Sequence, residues 1–151
     1  MKTIKLVLIA ILLSTAAFAQ NTEYYSPDGV AIKGYDAVAY FVQNIAVKGS
    51  DEFTVEWSGS KWMFDSQANL DSFKLAPEKY APQYGGYCAY GASENHKAPT
   101  DPDAWTIVNH KLYFNYNSKV KEFWIKDTTA RIRTADSLWL ELNKEHSTLK
   151  K

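Results

Sequence analysis

Cysteine is nearly absent: Cys88 is the single thiol in 151 residues. One thiol excludes a disulfide framework within the chain and any zinc site built from paired cysteines. An excess of charge is missing as well, with 17 basic against 17 acidic side chains and a pI near 6.8. Nucleic-acid binders gather Lys and Arg on one face or stripe, so nucleic acid is not an expected partner. The three histidines, at 96, 110 and 146, form no His-x-x-x-His pair. There is no Gly-x-Ser-x-Gly elbow, no Walker loop, no internal repeat and no low-complexity segment, so no catalytic nucleophile with its base and no phosphate cradle can be named. After Leu13 no apolar run approaches the roughly 20 residues that span a bilayer.

The first segment reads as an export signal. Lys2 and Lys5 supply the positive end, Leu6 to Leu13 the apolar core, and Ala17-Phe18-Ala19 a small-x-small cleavage site. Cleavage is expected before Gln20, giving an exported product, periplasmic or secreted, with no membrane span. No cysteine follows the apolar core to carry a lipid anchor. The mature residues 20–151 carry a formal charge of −2, because the leader removes two lysines and no acid. A chain of this size buries about two-thirds of its unfolded surface, enough for one domain with a core that needs neither disulfide nor metal.

At 46% hydrophobic and 23% charged residues the composition is that of an ordinary globular protein, rich in aromatics at 15%. Asn21 to Gly34 reads as an irregular arm, and Tyr35 to Val42 as a β-prone strand. Phe53 to Trp57 alternates at period two and turns through Ser58-Gly59-Ser60 into Lys61 to Phe64, a β-hairpin. Ser66 can cap a short helix carrying Leu70 and Phe73 on one face, with Pro77 at its exit. Glycines at 85, 86 and 91 suit tight turns, and local patterning assigns nothing further to that stretch. After a polar loop from Glu94 to Asp103, Trp105 to Val108 and Lys111 to Tyr116 form a second hairpin across Asn109-His110. Asn117 or Ser118 caps a helix with Val120, Phe123 and Trp124 on one face. Asp127 can cap another, with Ile132, Ala135, Trp139 and Leu142 aligned and fraying expected from Glu145. The expected class is α+β: two antiparallel β-hairpins with a short intervening helix and two C-terminal helices.

Trp62-Met63-Phe64-Asp65-Ser66, followed by Asn69, Phe73, Pro77 and Tyr80, resembles the YHS domain pattern. Lys33-Gly34-Tyr35-Asp36-Ala37-Val38-Ala39-Tyr40-Phe41, Tyr84-Gly85-Gly86-Tyr87-Cys88-Ala89-Tyr90-Gly91 and Asp101-Pro102-Asp103-Ala104-Trp105 look like an exported, single-domain branch of that family. With Lys111-Leu112-Tyr113, Ala135-Asp136 and Trp139, the resemblance extends over nearly all of residues 20–151. In YHS domains attached to copper-transporting ATPases the resemblance implies metal handling by cysteines. Those cysteines would fall on Ala39, Asp65 and Asn69, where this chain has no thiol. Carboxylate and amide oxygens suit hard ions and bind late transition metals less well.

Cys88 is the remaining candidate. Its thiolate would ligate a transition-metal ion with His96, or react with an oxidant; alternatively it is a buried free cysteine packed among Tyr84, Tyr87 and Tyr90. An unpaired exported thiol also leaves a disulfide-linked homodimer open beside a monomer. Tyr87, Tyr90 and Asp65 are the further candidate ligand contacts. Asp36 and Asp65 both adjoin apolar strand residues; acid/base use would require them to converge in a cleft, and capping or backbone hydrogen bonding is the simpler role for Asp65. Asp101 and Asp103 flank Pro102 and suit a turn better than a hard-cation site. The leading expectation is a non-catalytic exported protein binding a metal ion or small metal-bearing ligand near Cys88. The alternatives are a thiol-dependent redox or stress protein using Cys88, and a structural interaction domain.

Overall fold

The structure is a computed structural model that describes residues 23–148, so the expected leader at 1–19 lies outside the described residues. The α+β expectation is met. Helix α1 spans Ala39–Val42, strands β1 Ser50–Trp57 and β2 Ser60–Phe64, helices α2 Gln67–Leu75 and α3 Pro77–Tyr80, then α4 Ala89–Ser93. Strands β3 Trp105–Val108 and β4 Lys111–Phe114 follow, closed by α5 Ser118–Ile125 and α6 Thr128–Thr148. Short turns of 3-10 type at Pro27–Gly29, Ala31–Gly34 and Gln83–Gly86 fill the connections. No described helix is long and apolar enough to cross a membrane.

Both hairpins are antiparallel two-stranded sheets closed by two-residue turns with positive φ at both positions, Ser58 and Gly59 at 47° and 75°, Asn109 and His110 at 49° and 59°. That handedness matches the twist of the flanking strands, which is why such short loops suffice. In the second hairpin Trp105 pairs with Phe114 and Ile107 with Leu112 on one face, while Thr106 pairs with Tyr113 on the other. This hairpin is therefore a wall between two cores. Leu112 and Phe114 pack with Trp62, Phe64, Phe73 and Tyr40 in the first core; Tyr113 packs with Tyr84, Trp124 and Ala135 in the second. Ring pairs such as Trp62–Phe73 at 4.8 Å and Tyr113–Trp124 at 5.3 Å show how densely the aromatic residues are used. Each such pair adds about 1 kcal/mol beyond area burial.

The helix caps follow the sequence. Ser66 Oγ accepts from the Asn69 amide at 3.3 Å, and Leu70 and Phe73 face the first core. Asn117 Oδ1 accepts from the Val120 amide at 2.9 Å at the start of α5. Of the expected α5 face, Trp124 is fully buried but Phe123 is 47% exposed, so α5 packs through a narrower stripe than its spacing suggests. In α6, Ile132, Ala135 and Trp139 meet the second core as expected.

Three elements depart from the sequence reading. Tyr35 to Val42 is not a strand: Tyr35 makes one isolated bridge to Lys48, Asp36 N donates to Val47 O, and the chain then coils into α1. Ala37, Val38, Ala39 and Tyr40 are all at 0% exposure, and such complete burial overrides β propensity because strand preference reflects packing context. Strand β4 ends at Phe114 rather than Tyr116, because Asn115 turns inward and its amide donates to Ala104 O. The last helix continues to Thr148, beyond the fraying point expected at Glu145.

Candidate functional site

The residues singled out from sequence occupy three separate places. Cys88 is 1% exposed at the start of α4. Its Sγ accepts from the Gly91 amide at 3.4 Å and lies 3.7 Å from Asn115 Oδ1, to which the thiol donates. Burial pushes the thiol pKa up, against weaker opposing contacts from the Gly91, Tyr116 and Tyr90 backbone. A thiol of raised pKa is poor both as nucleophile and as metal ligand. His96 is exposed and packs against Gly91: its backbone amide donates to Gly91 O, and its Nε2 is 3.3 Å from the point a Cβ at Gly91 would occupy. Among the described residues no three His, Cys, Asp or Glu side chains come together to hold a metal ion. The setting of Cys88 does not fit a transition metal, whose capture needs a deprotonated, reachable sulfur and convergent donors.

Iodoacetamide at neutral pH should therefore label Cys88 at least about a hundredfold more slowly in the native protein than in denaturant, since reaction waits on opening. Native labelling at the denatured rate would return the thiol to candidacy.

Tyr90 faces α6, with the Arg131 guanidinium 4.2 Å over its ring and Arg131 also paired with Glu94. Tyr87 meets the same helix farther along, between Tyr25 at 5.2 Å and Trp139 at 6.2 Å.

Asp65 lies in the third place, beside Asp36. The Asn69 Nδ2 group donates to Asp36 Oδ2 at 2.7 Å and to Asp65 Oδ1 at 3.0 Å, so the two carboxylates do converge. They do so on a shared amide. Asp36 is fully buried: Oδ1 accepts from the Val38 and Ala39 amides at 2.8 and 3.1 Å, and Oδ2 also accepts from the Asp65 amide at 2.9 Å. Burial pushes the Asp36 carboxyl pKa up despite these donors. At Asp65 desolvation is the largest single influence, but the contacts with Gln43, Asp36 and Ser66 together outweigh it, and its carboxyl is held below the usual range. This node ties α1, β2 and α2 together, and all four positions available to donors on Asp36 are used by the fold.

The arrangement that gathers carboxylates and aromatic rings around a groove was not visible from local pattern. A groove of about 310 Å³ lies where the N-terminal arm, the Gln83–Gly86 turn and α6 meet, lined by Glu23, Tyr24, Tyr84, Asp136, Trp139 and Asn143. Its geometry depends on the turn. Tyr84, Gly85 and Gly86 have φ of 52°, 57° and 73°, and a Cβ on Gly85 would stand 2.7 Å from Glu23 O. Glycine is needed there for the left-handed backbone and for the approach of the arm, whose Tyr25 amide donates to Gly85 O at 2.7 Å. Tyr84 has no such freedom, and its left-handed backbone costs about 1–2 kcal/mol. That strain is held by its ring contacts with Tyr113 and Trp139 and by its hydroxyl, which donates to Asp136 Oδ1 at 2.8 Å. Strained residues held by their surroundings cluster at binding sites. Asp136 was noted in the sequence only within the family resemblance and Trp139 there and as part of a helix face, and no local signal joins them to Glu23.

The fold is thus a small α+β domain with two aromatic cores; among the described residues a second groove, of about 300 Å³ and lined by Pro27, Asp28, Lys33, Lys48 and Met63, lies apart from the first. A family model of the YHS domain matches residues 38–84. The matched segment runs from α1 through both first-hairpin strands, α2 and α3 to Tyr84; it contains Asp65 and Asn69 but not Cys88, Tyr87, Tyr90 or His96. No curated protein and no solved structure matches the chain.

Proposed function

We propose that this chain is an exported, non-catalytic binding protein of YHS type that holds a small molecule in the groove between the arm, the Gln83–Gly86 turn and α6. The observation that carries the reading is the groove itself: it is built by a strained tyrosine and a two-glycine turn at the point where the YHS-matching segment ends against the arm and α6. Its volume is at the lower end of the range for small-molecule sites. Export rests on the leader pattern of residues 1–19. The YHS match suggests metal association, and the buried, hydrogen-bonded Cys88 argues that metal is not held there.

Two measurements test this. Elemental analysis of protein purified without chelator, beside Cys88→Ser, should show no stoichiometric copper, zinc or iron that depends on Cys88. Stoichiometric metal lost in the variant would overturn the exclusion of Cys88. A panel of neutral, cationic and anionic small molecules, followed through the indole NH resonance of Trp139, should contain at least one class that shifts it saturably. If no class does, the groove is not a binding site.

A further inference from the structure

Resting on the groove as a ligand site, its lining also specifies the charge of the ligand. Glu23 and Asp136 place two carboxylates around it, and among the described residues no Lys, Arg or His side chain lines it. The rings of Tyr24, Tyr84 and Trp139 supply the other walls, and aromatic faces attract cations through their quadrupole. The surrounding structure already contains one ammonium bound in this way. Lys97 Nζ lies 4.9 Å from the Tyr87 ring centre and 5.2 Å from that of Trp139, and donates to Asn143 Oδ1 at 3.0 Å. Lys97 comes from the polar loop rather than the groove lining, so it marks what Trp139 and Asn143 accept while leaving the groove open.

The two tyrosine hydroxyls are raised mainly by burial, with the neighbouring carboxylates adding to it. Burial, followed by the charges of Glu23 and Glu78, raises Tyr24 to about 12. Burial, followed by Asp136, raises Tyr84 further. An anion entering the groove would meet two carboxylates, and the cation beside them among the described residues, Lys97, is already held on Trp139 and Asn143. A neutral ligand would gain ring contact alone.

We propose that the groove selects a small organic cation, an alkylammonium group seated against Trp139 and Tyr84 and neutralised by Asp136 and Glu23. Both carboxylates are exposed, so the attraction is screened by salt and the affinity is modest.

The test compares choline with its neutral isostere 3,3-dimethylbutan-1-ol on the full mature chain, each raised to about 30 mM, where a site of millimolar Kd saturates. The expected result is a saturable shift of the Trp139 indole NH by choline, with the isostere at least about tenfold weaker and choline binding weakened by added sodium chloride. Asp136→Asn and Glu23→Gln should each weaken choline severalfold with an unchanged melting temperature, since Asn keeps an oxygen for the Tyr84 hydroxyl. Equal binding of choline and the isostere would overturn the charge selection and leave the groove as a ligand site. Binding of acetate in preference to choline would do the same. If neither choline nor the isostere moves Trp139, the cation proposal fails, and the wider panel decides separately whether the groove binds anything.

Discussion

Asp36→Ala is expected to cost about 3–5 kcal/mol of stability, a large part of the 5–15 kcal/mol a domain usually has. The substitution removes one carboxylate and strands four donors in a dry interior: the amides of Val38, Ala39 and Asp65 and the Asn69 side chain. Each buried donor left without a partner costs about 1–3 kcal/mol, and partial relaxation toward water holds the total below the simple sum. Asp36→Asn should be little better. It offers one oxygen where two are used, and turns its own NH2 toward donors. Asp65→Asn is the contrast, expected to cost under about 1 kcal/mol, because Asp65 is half-exposed and Gln43 can turn to solvent. Urea unfolding of the three variants checks the order. A loss under about 1 kcal/mol for Asp36→Ala would show that the four donors find other partners.

The pH dependence has a definite sign. Burial raises the Asp36 carboxyl in the folded state, so the folded protein keeps that proton where the unfolded chain releases it. Its contribution is then greatest at acid pH and declines as pH rises above the unfolded value of about 3.9. Asp65 runs the other way: its carboxyl is held low, and its contribution is present above the unfolded value and lost as pH falls through the folded one. Wild type minus Asp36→Asn should therefore be largest near pH 4 and narrow toward pH 7, about the unfolded carboxyl value and well above it. A difference that widens with rising pH would mean that the donors outweigh burial.

The same residues show what sequence could and could not carry. The hairpins were legible because their turns are local: Ser58-Gly59 and Asn109-His110 sit between alternating strands, and the backbone they impose needs nothing distant. Ser66 and Asn117 were legible for the same reason, each cap reaching only three residues. Tyr35 to Val42 misled because its conformation is decided by Asn69, which is 33 positions away, and by burial on every side. The local competitor, Asp36 Oδ1 capping the Val38 and Ala39 amides, is a weak signal beside a run of β-prone residues. At Cys88 the choice between reactive and buried thiol depended on Asn115 and Gly91, one of them 27 residues distant, so spacing alone left it open. The groove was least legible, since Glu23, Tyr84 and Asp136 meet only after the arm, the glycine turn and α6 have docked.

Gly49→Ala is the second large effect expected, at about 2–4 kcal/mol, and its cause is purely steric. A Cβ at Gly49 would lie 2.5 Å from the Met63 carbonyl carbon, 2.7 Å from its oxygen and 2.7 Å from its Cβ. Two of these atoms are backbone in β2, so no side-chain rotation relieves the contact. The strand pairing explains the approach: Ser50 partners Phe64, yet Thr54 already partners Met63, so β1 bulges between them and Gly49 crosses the other strand's backbone. The Gly49 amide donates to Gly34 O at 2.8 Å, which holds the crossing in place. Gly29→Ala separates this from conformational cost. Gly29 has φ of +78° with nothing within 4 Å of a new Cβ, so alanine there pays only for the left-handed backbone, about 1 kcal/mol. Equal losses in the two variants would show that β2 yields at Met63. A loss at Gly49 at least twice that at Gly29, with the Trp139 indole resonance unmoved, would place the strain in the first hairpin and leave the groove intact.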